Sequence, residues 1–571
     1  MLTGIRSSIS IALWTMSGRA IVPRGDAVTQ LAWNACDLGF PPALASRIID
    51  PIECATLEVP LDYSRANSTS LLLQLIRVKA LQQPAKGSLV FSPGGPGFSG
   101  VEEVATNGGA YAAVLRDQYD IIGFDPRGVG RTIPFSCSPS PVLSKRSDQY
   151  NRTDTFPMID ALGLFQNKAW GDGGVFAERC KEEQEATGNF LGTPYVARDL
   201  LKIAEAVNED GQLRFWGRSY GTILGQTFAS IFPDRVERML LDSVVSPNDY
   251  YAGQWLTVTR DTVKSLLHFF TECIEAGPLI CPLASYNGEG TSAHSLMDTL
   301  VDSLEEVRAQ NLTLPDNFPV APWWGSAEGL PLLSQLKTIL LRFVYRPNQY
   351  FTLASLVNQT LSGDFSPYLD FSPDDIPPPE PAWNLGTDAF HGVACLDSAF
   401  RASNPGDMYS SVQAQLQGGG TFPDSFSSQV WVCSQWKFQS PEPFEGVFRG
   451  INTSYPVMLT NSPYDPITPL QNAFEAATAF NGARLLVHNG HGHGVANHPS
   501  LCTMRAIGDY FTNGTLPDAG AECTPQKNGW AMVTEALQNN GTVSVTEDVR
   551  DEQERRMMER VYALALSELN A

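Results

Sequence analysis

A chain of 571 residues with 43% hydrophobic and 10% aromatic content has ample material for a buried core. Its length allows two to four average domains, or one large α/β domain with a substantial insertion. The net charge of -22 opposes a nucleic-acid or anionic-membrane partner, because phosphate binding needs a basic face; its simplest role is solubility.

No stretch approaches 18 apolar residues, so no membrane span is expected. Ten cysteines, without any C-x-x-C pair, oppose a zinc site and fit five disulfides. Joining each to its sequence neighbour (36–54, 137–180, 273–281, 395–433, 502–523) is the simplest of many connectivities. Seven N-x-[ST] sequons, at Asn67, Asn151, Asn311, Asn358, Asn452, Asn513 and Asn540, also point to the secretory pathway. Arg6 followed by Ile9 to Met16, with Ser17-Gly18-Arg19-Ala20 behind it, resembles a weak signal peptide within residues 1–25. A secreted glycoprotein is the expectation.

In chain order, Leu57–Leu61 and Leu71–Val78 predict two early strands around a polar turn. Ser88–Phe91 predicts a strand that opens into Ser92-Pro93-Gly94-Gly95-Pro96-Gly97. A glycine-rich loop after a strand leaves backbone N–H groups free to face a negative oxygen, as one half of an oxyanion hole. An ordinary glycine loop or a phosphate cradle is the alternative, but no G-K-[ST] or G-x-G-x-x-G accompanies it. Tyr119–Phe124 predicts the next strand, followed by Asp125-Pro126-Arg127-Gly128-Val129-Gly130-Arg131. Asp125 and Arg127 are expected to tie that loop down rather than to react. Val196–Val207 carries Leu200, Ile203, Ala204 and Val207 on one helical stripe.

That helix feeds a short apolar run, Leu213 to Trp216, and then Gly217-Arg218-Ser219-Tyr220-Gly221. Small and aliphatic residues follow to Ser230 and stop at Phe232-Pro233. A serine between glycines on a strand-to-helix turn has the form of a nucleophile elbow, where a Cβ at either flank would collide with its neighbours. G-x-S-x-G alone is a weak signal, so partners in the right order matter. Arg238–Val245 predicts one more strand. The alternation is that of a mostly parallel sheet covered on both faces.

The pattern stops for about two hundred residues, from 247 to 450. Helical stripes (Leu296, Leu300, Leu304, Val307) alternate there with proline-rich loops such as Pro373–Pro381. This length predicts a mainly helical lid inserted into the sheet domain; Trp323 and Trp324 are expected in its core, the alternative being that they line the substrate pocket. Sheet pattern returns at Tyr455–Thr460, then Asp465-Pro466, a helix over Pro469–Phe480 and a strand over Ala483–Val487. His488-Asn489-Gly490-His491-Gly492-His493-Gly494 follows. The chain order Ser, Asp, His is that of α/β-hydrolases. Four of the seven histidines lie between 488 and 498, which permits a metal site, but no H-E-x-x-H or carboxylate cluster supports one. The organisation expected is a sheet domain in two parts, 26–246 and 451–525, a lid at 247–450 and a helical tail at 526–571. In that tail Met557, Val561, Leu564 and Ala565 form a stripe.

Taken together, Leu57 to Tyr63, Pro93-Gly94-Gly95-Pro96-Gly97, Phe124 to Arg131, Gly217 to Thr222, Asp465-Pro466 and Gly490-His491-Gly492-His493 resemble the α/β-hydrolase branch that holds proline iminopeptidases and secreted tripeptidyl aminopeptidases. The resemblance covers about residues 50 to 525. It implies Ser219 as nucleophile, Asp465 as orienting acid and His493, rather than His491, as base, because the family's G-x-G-H maps onto Gly490, Gly492 and His493. The N–H groups of Gly95 and Tyr220 would hold the oxyanion, and no cofactor or metal is implied. Arg218 departs from the family, where small or polar residues are frequent before the nucleophile, and the acidic lid groups that hold a substrate amine are not identifiable. An exopeptidase acting on peptide N-termini is the leading expectation. An ester or lactone hydrolase on a small metabolite is the alternative, and a non-catalytic binding protein is opposed by three occupied positions.

Overall fold

The computed structural model describes residues 31–137, 156–258, 260–369, 388–418, 422–426, 428–545 and 548–567. The signal-peptide region, the sequon at Asn151 and the Pro373–Pro381 loop lie outside the described residues.

Ten strands form one sheet: β1 (Asn34–Ala35), β2 (Ile52–Pro60), β3 (Ser70–Val78), β4 (Ser88–Ser92), β5 (Asp120–Phe124), β6 (Leu213–Ser219), β7 (Val236–Val244), β8 (Met458–Asn461), β9 (Arg484–His488) and β10 (Glu522–Cys523). Their spatial order is β1-β2-β3-β5-β4-β6-β7-β8-β9-β10. The first three pairings are antiparallel. From β5 through to β10 every pairing is parallel. Every residue of β4 and β5 is buried, as expected where helices cover both faces and no polar alternation is needed.

On one face pack the helices Gly100–Val114, Leu501–Asn513, Gly529–Gln538 and Glu552–Ala565; on the other pack Thr193–Val207, Tyr220–Ile231 and Leu470–Ala479. The first of these, Gly100–Val114, is absent from the sequence reading. Eleven of its residues are buried all round, so it carries no amphipathic stripe, and Gly108-Gly109 at its centre disfavour a helix on propensity alone. Both glycines are sites of close approach: a Cβ on Gly108 would lie 2.8 Å from Val78, and one on Gly109 1.9 Å from Asp50. The edge strands β1 and β10, two residues each, are likewise too short to leave a periodic signal. The tail stripe Met557, Val561, Leu564 and Ala565 is buried in the same cluster as Gly100–Val114.

Between β7 and β8 the described chain is helical. It builds its own core around Phe269, Leu300, Leu336 and Tyr350, and Leu296, Leu300, Leu304 and Val307 are buried as a stripe. Trp323 is buried in a second cluster that joins the insertion to Tyr220 and Ile223 behind the elbow. The tail also touches this region, because Trp530 is buried in the insertion's core. All five disulfides join sequence neighbours: Cys36–Cys54, Cys137–Cys180, Cys273–Cys281, Cys395–Cys433 and Cys502–Cys523. No helix among the described residues is long and apolar enough to cross a membrane.

Arg127 explains why two distant motifs occur together. Its fully buried guanidinium bonds both oxygens of buried Asp199, at 2.6 and 2.9 Å, and the carbonyls of Pro60 and Leu61. Tyr63 donates to Asp199 at 2.8 Å and lies against the guanidinium. The early strand motif and the Asp125–Arg131 loop thus meet around one ion pair, whose acid comes from the helix Thr193–Val207.

Candidate active site

The elbow follows from three backbones in contact. A Cβ on Gly217 would lie 2.3 Å from the Gly221 carbonyl oxygen, and one on Gly221 2.5 Å from the Ser92 carbonyl oxygen. Both flanking positions therefore accept only glycine. Ser219 ends β6 and starts the helix Tyr220–Ile231 at φ 58°, ψ -125°, a region L-residues rarely occupy and which structure must enforce. The loop after β4 runs directly against it. A Cβ on Gly94 would lie 2.7 Å from Ser219 Cβ and 3.0 Å from the Tyr220 nitrogen. Gly95 curls onto the nitrogens of Gly97 and Phe98.

Asp465 lies in the loop after β8, fully buried. It accepts from the N–H of Ile467 (3.0 Å), the N–H of Thr468 (2.9 Å) and the Thr468 hydroxyl (2.7 Å). His493, in the loop after β9, bonds Asp465 through Nδ1 at 2.9 and 3.1 Å. A carboxylate that only accepts requires the proton on Nδ1, which leaves a lone pair on Nε2. Among the described residues no bond occupies Nε2 of His493 or the Ser219 hydroxyl. His493 N–H donates to the Tyr345 carbonyl from the insertion at 2.9 Å, and Asn497 donates to the His493 carbonyl. Gly492 is at φ 95°, and a Cβ there would meet the Tyr345 oxygen at 2.2 Å, which accounts for the glycine one place before His493.

The neighbouring histidines have other partners. His491 is buried, donates Nε2–H to the Val344 carbonyl at 2.8 Å and therefore accepts at Nδ1, from His268 Nδ1 at 3.2 Å. Burial, with His268 alongside, holds its pKa well below the usual range. His488 bonds Thr503 at 2.9 Å and the His498 carbonyl at 3.0 Å, and burial pushes it down to about 3. His498 accepts the His491 N–H at 2.9 Å and donates to the Lys527 carbonyl at 2.7 Å. Among the described residues no group of three or more His, Cys, Asp or Glu could hold a metal ion.

Two residues absent from the sequence reading hold the histidine loop. Asp242 and Ser243 end β7, where the β6–β7 register slips between Arg218 and Ser219. The Ser243 hydroxyl accepts the Gly494 N–H at 2.8 Å, and Asp242 accepts the Val495 N–H at 3.2 Å. Ser243 has φ 58°, the same left-handed value as Ser219. The available signal was a carboxylate closing the apolar run Met239-Leu240-Leu241, where an acid at the carboxyl end of a buried parallel strand needs a task.

Chemically, a hydroxyl on a strained turn, an imidazole oriented by a buried carboxylate and free N–H groups at a helix start are the parts of acyl transfer through a covalent intermediate. A family model described as alpha/beta hydrolase fold matches residues 87–278, and one described as TAP-like protein matches residues 421–523. The first spans Ser219 and the second spans Asp465 and His493. Tripeptidyl aminopeptidase of Streptomyces lividans is 26% identical over 521 residues, 89% of each chain. Serine protease Hip1 of Mycobacterium tuberculosis is 27% identical over 528 residues, 89% of this chain and 94% of that one. Carboxylesterase B of Mycobacterium tuberculosis is 27% identical over 519 residues, 87% and 90% of the two chains.

Proposed function

Because the chain belongs to the α/β-hydrolase fold and is a serine hydrolase, we propose that it is a secreted serine exopeptidase that releases short peptides or residues from peptide N-termini. The observation that supports this reading is the Asp465–His493 pair, bonded at 2.9 Å in the loops after β8 and β9, together with the strained Ser219 at the end of β6. Ser219 attacks the scissile carbonyl as His493 Nε2 takes its proton. Asp465 fixes the Nδ1–H tautomer and stabilises the imidazolium. The N–H groups of Gly95 and Tyr220 hold the tetrahedral oxyanion, each worth about 3 kcal/mol of barrier. His493 then protonates the leaving amine, and water, deprotonated by the same imidazole, resolves the acyl-enzyme. No step needs a cofactor.

Similarity to tripeptidyl aminopeptidase and Hip1 over nearly the whole chain supports a peptide substrate. Similarity to Carboxylesterase B at the same level favours one second reading, hydrolysis of a small carboxylic ester or lactone on the same machinery. Turnover of tripeptide anilides, with free and with acetylated amines, against short acyl esters separates the two. The exopeptidase reading expects activity on the free amine and its loss on acetylation. Indifference to acetylation, with faster ester turnover, makes the ester reading the correct one.

Secretion is supported by the five disulfides, which persist in oxidising compartments. It is also supported by the sequons, because Asn67, Asn311, Asn358, Asn452, Asn513 and Asn540 are all exposed. A mass decrease on endoglycosidase treatment of protein from its native host is the expected result. An unchanged mass removes the glycoprotein part of the proposal.

A further inference from the structure

Arg218, which directly precedes the proposed nucleophile, sits where three parts of the proposed site meet. It precedes Ser219 directly and pairs with Asp242 across the β6–β7 ladder. Its side chain is 12% exposed, its Nη2 lies 3.4 Å from Glu103 Oε2, and its guanidinium lies 5.7 Å from the Phe91 ring. Its stem packs on the residue after His493, so that a Cβ on Gly494 would fall 2.8 Å from Arg218 Cδ. Glu103 belongs to the helix that starts just after the Gly94–Gly97 loop, and is held further by the Tyr111 hydroxyl at 2.5 Å and by Asn107 at 3.3 Å. One guanidinium thus lies between the oxyanion-loop helix, the strand that carries Asp242 and the backbone that carries His493.

We propose that Arg218 is a positioning residue for the histidine loop, and that its charge offsets two carboxylates, the buried Asp242 and the partly buried Glu103, that would otherwise act on the His493 imidazole. The inference rests on the Ser219–His493 reading above.

Carboxylates around an imidazole stabilise its protonated, inactive form, and an interposed guanidinium opposes that field. The groups concerned come from every side of the loop. Arg218 and Asp242 come from β6 and β7, Glu103 and Tyr111 from the helix Gly100–Val114, and Asp465 from the loop after β8. Tyr345, whose ring packs edge-on against His493 at 5.5 Å, and Arg346, which acts on Glu103, come from the insertion. Burial raises the Asp242 pKa while Arg218 opposes the rise. Burial also acts to raise Glu103, and Arg218, with Tyr111, more than compensates, so Glu103 is held below the usual carboxylate range.

The test compares Arg218→Met, Arg218→Lys and Glu103→Gln in the full chain, read as the pH dependence of fluorophosphonate labelling and of p-nitrophenyl butyrate hydrolysis. Deleting the cation moves the acid limb of both profiles to higher pH by ~0.5–1 unit, and lowers kcat about tenfold with KM little changed, as for a transition-state effect. Deleting the Glu103 charge leaves the cation in excess and moves the acid limb to lower pH. Arg218→Lys returns it to within about 0.2 unit of the parent. A merely structural role lowers the active fraction without moving either midpoint. Coincident midpoints in all three variants, or shifts of one sign in Arg218→Met and Glu103→Gln, overturn the proposal. Where Arg218→Met does not fold, Arg218→Lys and Glu103→Gln still decide it by the same readout. Ser219→Ala keeps the two readings apart. If the parent labels and Ser219→Ala does not, unmoved midpoints refute the role of Arg218 alone; if Ser219→Ala still labels, the nucleophile assignment is at fault.

Discussion

The sheet and the helical insertion are fixed by different means. The sheet is a continuous parallel ladder through β4, β6, β7, β8 and β9, and each proposed reacting group sits within a few residues of the end of one of those strands. The insertion has its own apolar core, stapled by Cys273–Cys281 and Cys395–Cys433. It reaches the reaction centre through few groups, among them the Tyr345 carbonyl under His493 and Ala389 against Gly97. A third is Asp397, which accepts from the Thr193 N–H at 2.9 Å and the Tyr250 hydroxyl at 2.9 Å. The contrast teaches a division of labour. On the proposed assignment, rate is a property of the ladder, while substrate choice and access are proposed to belong to the insertion.

The largest effects that test this division fall on the ladder. Ser219→Ala is expected to lower kcat by ~10^6-fold with thermal unfolding unchanged, measured on both peptide and ester probes; retained activity breaks the assignment outright. Asp465→Asn leaves the geometry in place but favours the wrong imidazole tautomer, with an expected loss of ~10^4-fold in kcat, checked by steady-state kinetics.

Next come two fully buried ion pairs, one in each region. Arg127→Met leaves Asp199 buried and uncompensated, and should destabilise the sheet by about 3–5 kcal/mol. Lys337→Met does the same to Asp424, now bonded by Lys337 at 2.6 Å within the insertion. If the regions are separable, denaturant unfolding of the Lys337→Met variant shows an early transition, during which fluorophosphonate labelling persists. Loss of labelling in step with that transition would merge the two regions into one cooperative unit.

The smallest effect concerns the join between them. Burial pushes Asp397 up to about 6, against the pull of its bonds from Thr193 and Tyr250. Its folded pKa thus lies above the unfolded value near 3.9, so the fold binds this proton more tightly. The resulting stabilisation is complete below about pH 4 and is lost as pH rises through about 6, worth about 3 kcal/mol. Asp125, also pushed up to about 6 by burial, contributes with the same sign. Asp397→Asn should therefore reduce the fall of melting temperature between pH 4 and 7; an unaltered slope rejects Asp397 as a source of it.

The elements with clear period and composition were legible in the sequence. The elbow, the apolar strands and the loops around Asp465 and His493 announce themselves because glycine and proline mark places where backbone alone fits. Neighbour pairing of the cysteines also needed only the simplest choice. The helix Gly100–Val114 was not legible, because a helix buried on all sides loses the stripe that periodicity detects. Asp242 and Ser243 escaped because their partners, the N–H groups of Val495 and Gly494, lie about 250 positions away, and no local pattern encodes so distant a bond. The resemblance points to His493 rather than His491, and the proposal keeps that choice because His491 has both ring nitrogens engaged.

The interruption between β7 and β8 also has a consequence for biosynthesis. On the proposed assignment, the nucleophile leaves the ribosome with the first half of the polypeptide, whereas the groups that activate it emerge only more than two hundred residues later. On that assignment, a product that ends before His493 holds the nucleophile without the groups that activate it.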